Sequence, residues 1–212
     1  VVGGVATPKQ AEIIVKKIIG NRENPVMEES VLFNYWVVEA ICRMGYVKEG
    51  IDYLKKHYAH MLEEGENGTL WEFANLYAQN KGQRYTGAKD KFEGRSWCTA
   101  QGENGFPGIS LSRWVLGFDS NTPGLKEVEI NALYSPYKNF SGVLPTPHGV
   151  IKVERMDNKV SVDVPGGVTA ILSKDKLVSN MIKIITVNGK VKKTASLQGD
   201  IKIYEGKHSI EF

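Results

Sequence analysis

The spacing of apolar residues changes once along this 212-residue chain, close to Asn121-Thr122-Pro123-Gly124. Before this point apolar residues recur at helical spacing, and after it they alternate with polar residues, as in half-buried strands. A Pro-Gly pair is a strong turn signal. The sequence therefore predicts a multidomain α and β chain, with a helical domain over residues 1–120 and a β domain over residues 121–212.

Four helices are predicted in the first domain. The first begins at Thr7-Pro8-Lys9-Gln10, where a capping hydroxyl, a proline at the first helical position and a glutamine three residues after the cap occur together. Apolar stripes predict a second and a third helix, which end at Gly45 and Gly65, and a fourth helix from Pro107 to Gly117. Short links between such helices are typical of antiparallel hairpins.

Seven or eight short strands are predicted in the second domain. They are separated by turn residues such as Asn188-Gly189 and Glu205-Gly206. The alternation is strictest in Val150–Glu154 and Val160–Val164. Short strands with turns between them are typical of an antiparallel β-sandwich.

The composition excludes several classes of protein. Hydrophobic residues make up 42% of the chain and charged residues 24%, which is ordinary for a globular protein. The net charge of +3 comes without a dense basic cluster interleaved with aromatics, so nucleic-acid binding is not indicated. No apolar run approaches the ~20 residues of a membrane span. The start at Val1 has no signal-peptide pattern and no initiator Met, so we expect a piece of a longer protein and leave the compartment open, export included.

A glycine-rich segment from Glu63 to Gly105 shows no sustained periodicity. Long irregular segments inside compact domains are usually functional or disordered. Glu72 lies near the beginning of this segment, between Trp71 and Phe73. Flanking aromatic rings would partly desolvate the carboxylate, which raises its pKa and suits it to proton transfer. The residues alone favour the alternative, an exposed loop carboxylate beside two core aromatics.

Three further residues are candidates for sugar binding. Trp97 offers an aromatic face and Arg95 offers hydrogen-bond donors, although a buried Trp beside a surface Arg is the simpler interpretation. Trp36 follows Tyr35 on the second predicted helix. Adjacent residues point to different sides of a helix, so we expect one ring in the core and the other toward a cleft.

No metal or cofactor site is predicted. His57 and His60 share a helix face but have no third ligand nearby in the sequence. The sequence contains no phosphate-binding loop and no dinucleotide-binding fingerprint.

Several motifs follow one another along the chain: Val31 to Gly45, Tyr58-Ala59-His60-Met61-Leu62, Gly68-Thr69-Leu70-Trp71-Glu72, Leu111 to Phe118 with Pro123-Gly124, and Gly142 to Gly149. In this order they resemble motifs of the α-L-rhamnosidase family. The first three resemble its late helical hairpins, the fourth resembles the last helix of its helical ring and the segment that follows, and the fifth resembles a turn in its β-sandwich. These glycosidases have an (α/α)6 toroid followed by a β-sandwich. The resemblance covers nearly the whole chain and implies the C-terminal portion of such an enzyme.

By this resemblance, Glu72 matches the general base of an inverting glycoside hydrolase, and Trp71 forms a wall of the sugar pocket. In an inverting mechanism one carboxyl protonates the leaving oxygen while the other activates water on the opposite face of the sugar. The family's general acid lies in an earlier part of the toroid that this chain lacks. We therefore expect a fragment that is inactive alone, and leave open whether the chain by itself is an enzyme.

Two features depart from the family pattern. Ser96-Trp97-Cys98-Thr99-Ala100-Gln101 has no His, whereas many members carry one shortly after the Ser-x-Cys stretch. Phe73, Ala74 and Asn75 replace the basic and acidic residues that often follow the Trp-Glu pair.

Two alternatives remain beside the hydrolase fragment. One is a non-catalytic carbohydrate-binding or scaffold protein, and the other is a subunit that completes its toroid by association. The expected partners are a rhamnoside-like glycan and either the missing N-terminal part of the enzyme or a second copy of the chain. Nucleic acid and membrane are not expected partners.

Overall fold

The computed structural model describes residues 3–20, 31–64, 105–120 and 122–212. The chain forms two compact units, Val1–Ser110 and Leu111–Phe212. Helices dominate what is described of the first unit and strands dominate the second, and the division lies inside one helix. Because this division follows packing and not secondary structure, the domain boundary between residues 120 and 121 stays a prediction.

Helix α1 (Pro8–Gly20) begins as the sequence predicts. The backbone amide of Gln10 donates to Thr7 Oγ1 at 3.4 Å, and the amide of Thr7 donates to Gln10 Oε1 at 2.9 Å. These reciprocal bonds form a capping box, which satisfies two donors that the first helical turn leaves free. Val15 of α1 packs in a small core with Ala40 and Ile41. In the described ranges, no helix combines the length and apolarity needed to cross a bilayer.

Helices α2 (Val31–Arg43) and α3 (Val47–Glu64) are joined through the predicted stop at Gly45. Gly45 has a φ of 88°, which favours glycine. Its amide donates to the Cys42 carbonyl at 3.0 Å, and the Tyr46 amide donates to the Ile41 carbonyl at 3.2 Å. This Schellman motif ends α2. A Cβ on Gly50 would lie 2.4 Å from Cys42 Sγ, so the two helices pack closely there.

Helix α4 (Phe106–Trp114) leads into the β unit through Gly117. Gly117 has a φ of 80°, and a Cβ there would lie 2.2 Å from the backbone nitrogen of Ala132. The Asn131 amide donates to the Gly117 carbonyl at 2.6 Å. Only glycine allows this approach of two backbone segments, and the contact fixes where β1 begins.

Among the described residues of the second unit, ten strands form two sheets. The smaller sheet has the order β1-β2-β6-β9, with β1 (Phe118–Asp119), β2 (Glu127–Ile130), β6 (Thr169–Leu172) and β9 (Ile201–Ile203). The larger sheet has the order β3-β4-β5-β10-β7-β8, with β3 (Asn139–Thr146), β4 (Gly149–Met156), β5 (Lys159–Val164), β7 (Ile184–Val187), β8 (Lys190–Lys193) and β10 (Gly206–Glu211). A short helix, α5 (Lys174–Ser179), and three 3-10 turns, Pro123–Leu125, Ala132–Tyr134 and Thr194–Ser196, complete the unit.

The inward faces of both sheets contribute to one apolar core, so the predicted β-sandwich-like arrangement is confirmed. Val128 and Leu172 come from the smaller sheet, and Ile151, Val162 and Ile210 come from the larger. One strand pair differs from the antiparallel expectation, because β2 pairs with β6 in parallel. The chain leaves β2, builds β3, β4 and β5 in the other sheet, and returns in the same direction as β2.

Three strands and one α-helix of the second unit were not predicted from the sequence. Strands β3 and β8 lie at the two edges of the larger sheet, where the burial that produces alternation is weakest. β3 contains Gly142 and Pro145, and all four residues of β8 are exposed. β1 has only two residues, and α5 is a six-residue helix whose signal is the capping hydroxyl of Ser173.

A buried arginine on the inward face of β4 ties the larger sheet to the 3-10 turn Ala132–Tyr134. Arg155 Nη1 donates to the carbonyl oxygens of Ala132 at 2.8 Å, Leu133 at 3.1 Å and Ser135 at 2.9 Å. Its Nε donates to the Asp157 carbonyl at 2.8 Å. Burial lowers the pKa of the guanidinium, with the Asp157 charge acting in the opposite direction. Arginine stays charged at any ordinary pH, so these carbonyls keep a strong donor.

We predict that Arg155→Met destabilises the β unit, because an apolar side chain of similar length leaves the buried carbonyls without a donor. The expected loss in the free energy of unfolding is about 2–4 kcal/mol, measured by urea denaturation followed by circular dichroism. Lys152→Met on the exposed face of the same strand is the matched control, with an expected change within about 0.5 kcal/mol. Equal losses in the two variants would contradict the role given to Arg155.

Candidate functional site

One of the five candidate site residues lies in the described part of the chain. Trp36 is on α2. Glu72, Trp71, Arg95 and Trp97 lie outside the described residues, and their roles stay predictions. The site is therefore built from α2 and from the elements that hold Trp36 in place.

Trp36 is half exposed, with 50% of its surface accessible. Its ring meets that of the partly buried Tyr35 edge-on, with centroids 4.9 Å apart and planes at 65°. This edge-to-face geometry favours a fixed indole orientation while leaving part of its surface open. The two neighbouring rings thus differ in exposure, with Tyr35 the more buried and Trp36 the more open.

The contact between Trp36 and Tyr35 is the outer end of a row of four aromatic rings. Tyr35 meets Phe106 of α4 edge-on with centroids 5.7 Å apart, and Phe106 meets Tyr58 of α3 at 5.3 Å and 88°. Phe106 and Tyr58 are buried. We call Trp36, Tyr35, Phe106 and Tyr58 the aromatic row. It connects three helices and supports the exposed indole from the core of the helical unit.

A buried polar group lies beside the aromatic row. Asn34 of α2 is fully buried, and its Oδ1 accepts a hydrogen bond from Tyr53 Oη of α3 at 3.0 Å. Burial raises the pKa of Tyr58, although interaction with Asn34 acts in the opposite direction. Tyr58 therefore keeps its proton at neutral pH and cannot serve as a base. Asn34 and Tyr58 stabilise the helix packing in the site, and neither is a candidate to transfer protons.

Glu39 is a fully buried carboxylate on α2. Its Oε2 accepts a hydrogen bond from Arg43 Nε at 3.1 Å, one helical turn away. A buried carboxylate is stable only with charged or hydrogen-bonding partners, and Arg43 supplies one.

The sequence analysis did not identify Glu39 or Asn34, because both lie between the apolar residues of α2. Helical spacing does give a signal, since Asn34 shares a face with Val38 and Ile41.

The described residues thus present one half-exposed indole that is packed against further aromatic rings. An indole with a free face can contact the apolar face of a sugar ring, and its ring nitrogen can donate a hydrogen bond. Within the described ranges, no three His, Cys, Asp or Glu side chains come together in a way that could hold a metal ion. What the described side chains offer chemically is surface contact and hydrogen bonding through the Trp36 indole.

No family model matches the chain, and no curated protein matches its sequence. Solved structures do match. They include α-L-rhamnosidases from Dictyoglumus thermophilum (TM-score 0.56, 15% identity), Streptomyces avermitilis, in complex with L-rhamnose (TM-score 0.64, 13% identity), and Aspergillus terreus (TM-score 0.60, 13% identity).

The three comparisons cover 85%, 97% and 95% of this chain and 20%, 20% and 21% of those enzymes, in the same order. The chain thus spans about a fifth of the length of the rhamnosidases that it matches. At such low identity the comparisons establish the fold. The predicted likeness to an α-L-rhamnosidase C-terminal portion is confirmed at that level.

Cys42, one turn after Val38 on the buried side of α2, provides a test of how tightly α2 and α3 pack. Burial, followed by the charges of Glu39 and Glu49, raises the pKa of its thiol to about 12. In a Cys98→Ser background, we expect Cys42 at pH 8 to react with a disulfide reagent on the order of a thousandfold more slowly than in the urea-unfolded chain. The reason is that the thiolate is scarce in the folded state.

The same pKa shift predicts how stability depends on pH. A thiol whose pKa is raised by folding contributes stability below its unfolded pKa of about 8.5. This contribution is lost as the pH rises toward 12.

Rapid labelling of the folded chain at pH 8 would contradict the close packing of α2 and α3. A Cys42→Ala variant in the same background gives the baseline for the labelling rate and for the pH dependence of stability.

Proposed function

We propose that this chain is the base-bearing C-terminal part of an inverting, α-L-rhamnosidase-like glycoside hydrolase acting on a rhamnoside-like glycan. The observation that carries the proposal is the fold similarity to three α-L-rhamnosidases over 85–97% of the chain. One of those enzymes is in complex with L-rhamnose, which makes this sugar the first ligand to test. The order of sequence motifs supports the same assignment independently of the fold.

We propose further that α1, α2 and α3 are hairpin helices of an (α/α)6 toroid. Such a ring needs more helices than these, so some apolar surface of the helices would be covered by other parts of the ring. Ile13 and Ile14 of α1 and Leu62 of α3 are exposed apolar side chains. Exposed apolar surface on amphipathic helices favours further packing, in agreement with an incomplete ring.

Glu72 is the proposed general base. In the inverting reaction its carboxylate takes a proton from a water molecule, whose oxygen forms a bond to the anomeric carbon as the glycosidic bond breaks. A second carboxyl, the general acid, gives its proton to the leaving oxygen. By the family resemblance this acid lies in an earlier toroid segment, so the chain alone would not complete the reaction.

The aromatic residues Trp71, Trp97 and Trp36, with Arg95, are the proposed sugar-binding residues. The support for Trp36 is its half-exposed indole at the outer end of the aromatic row. Arg95 would donate to sugar hydroxyls, and the indoles would contact the apolar ring faces. In this proposal the three indoles and Arg95 bind the sugar, and Glu72 transfers the proton.

We predict that Glu72→Gln abolishes turnover in an enzyme made of this chain joined to the segment that carries the general acid. Loss of a general base lowers the rate roughly 10²–10⁴-fold, and the amide preserves the size of the side chain. The measurement is hydrolysis of an aryl α-L-rhamnoside. NMR of the first-formed sugar should show inverted anomeric configuration in the unmodified enzyme.

Glu12→Gln, at an exposed carboxylate of α1, is the control and should leave turnover unchanged. Unchanged turnover in Glu72→Gln would eliminate Glu72 as the base. A first-formed sugar with retained configuration would contradict the inverting mechanism. Turnover by the unjoined chain would contradict the assignment of the acid to another segment.

We predict that Trp36→Ala weakens binding of L-rhamnose about tenfold in the same joined enzyme. A sugar ring covering part of the open indole buries apolar area worth about 1.4 kcal/mol. Calorimetric titration measures the affinity, and the thermal midpoint checks that the fold is intact. Ile109→Ala on α4 removes a side chain of similar exposure, 54%, outside the aromatic row and should leave affinity unchanged. Equal weakening in both variants would contradict a sugar contact at Trp36.

A non-catalytic carbohydrate-binding role is the second candidate function. It is supported by the half-exposed indole of Trp36, which can contact a sugar without a catalytic group. Rhamnose binding without turnover in the joined enzyme would support this role over hydrolysis.

A further inference from the structure

We propose that the β7–β8 hairpin is a binding surface for a polyanionic polysaccharide, a chain of sugars that carry carboxylates. The site lies in the β unit and uses none of the residues assigned to hydrolysis. The inference therefore goes beyond the proposed function and does not depend on Glu72.

The hairpin carries an uncompensated positive charge. Residues 183–193 contain four lysines, Lys183, Lys190, Lys192 and Lys193, and no acidic residue. The acid-free stretch continues on both sides, from Lys176 to Gly199. The overall charge of the chain is only +3, so this surface is far more basic than the chain average.

None of these four lysines forms an ion pair within the described part of the chain. Other lysines of the same unit are paired: Lys159 with Glu211, Lys176 with Glu129, and Lys202 with Glu127. The four hairpin lysines are also exposed. Their charges are therefore available to an external anion.

The hairpin holds these charges on a defined scaffold. Its two-residue turn, Asn188-Gly189, has φ values of 50° and 75°, which match the tight turn preferred between twisted strands. Asn188 is attached to β10, because its amide donates to the Ser209 carbonyl at 2.9 Å and its Oδ1 accepts from the Ser209 amide at 3.0 Å. Lys190 and Lys192 are two residues apart on one strand, so their side chains share a face. Their Cα atoms are separated by about 6.7 Å along the strand.

The other face of the hairpin carries two exposed apolar side chains together with Lys193. Ile184 and Val191 have 53% and 67% of their surface accessible. Val191 pairs with Thr186 and Ile184 pairs with Lys193, which places both apolar side chains on the same face of the sheet. A sugar polymer has apolar ring faces as well as charged groups. On this face the polymer can therefore contact Ile184 and Val191 while a carboxylate meets Lys193, and Lys190 and Lys192 attract its charge from the opposite side of the edge strand.

Two simpler roles for the hairpin account for fewer of its features. Lysines on an edge strand prevent sheet-to-sheet aggregation, but this role requires neither an acid-free hairpin nor exposed Ile184 and Val191. Nucleic acid is a competing polyanion, but proteins that bind single strands stack bases on aromatic side chains. Residues 183–193 contain no aromatic residue, so the chemistry favours a polyanionic sugar.

The test is affinity electrophoresis of the full 212-residue chain in gels containing alginate, a polymer of uronic acids, with neutral dextran in parallel gels. We expect retardation by alginate alone, weakening steeply as salt screens the charges. Lys190→Gln/Lys192→Gln/Lys193→Gln should weaken alginate binding on the order of tenfold at low salt. The matched control, Lys152→Gln/Lys159→Gln/Lys207→Gln, removes the same charge from the outer face of the same sheet and should retain binding.

Three results would overturn the proposal. One is the absence of retardation by alginate. Another is an equal loss in the two triple variants, which would show that only net charge matters. The third is binding of single-stranded DNA as tight as that of alginate, which would favour nucleic acid as the partner. Circular dichroism of both triple variants verifies that the sheet is intact.

Discussion

The hydrogen bonds of Arg155 are the interaction on which the β unit most depends. One guanidinium on β4 holds the carbonyls of the turn that follows β2, and so joins a strand of the larger sheet to the end of a strand of the smaller. The apolar core supplies most of the free energy of folding, but it does not specify a direction. The guanidinium fixes how the two sheets align, because its donors must meet oxygens at definite positions.

In the helical unit, too, apolar contacts and the interactions that orient the helices come from different residues. Val15, Ala40 and Ile41 provide apolar contact between α1 and α2, while the aromatic row and the Asn34–Tyr53 hydrogen bond give α2, α3 and α4 a defined relation within that unit. Trp36 gains a fixed orientation from this arrangement. If Trp36 binds sugar as proposed, an indole that is already held in place loses less conformational entropy when it binds.

Local sequence signals predicted the parts of the fold that are locally determined. Thr7, Pro8 and Gln10 specify the start of α1 by bonds within one turn, and alternation predicted β5 because one face of that strand is buried. β3 and β8 were missed because neither strand has a buried residue, so no strict apolar alternation marks them in the sequence. The role of Arg155 could not be predicted, since its partners lie about 20 residues away in sequence. For the candidate site, the sequence predicted that Tyr35 and Trp36 point to different sides of a helix, but it did not predict the buried polar residues beside them.

The strand order also constrains how the β unit is assembled. β10, the last strand described, lies between β5 and β7 in the larger sheet, and β9 forms an edge of the smaller one. The hairpins β3–β4, β4–β5 and β7–β8 join strands that are close in sequence, so they can form early. Both sheets remain incomplete until residues 201–211 are available. During synthesis, the β-sandwich can therefore close only at a late stage, after the helical segments have left the ribosome.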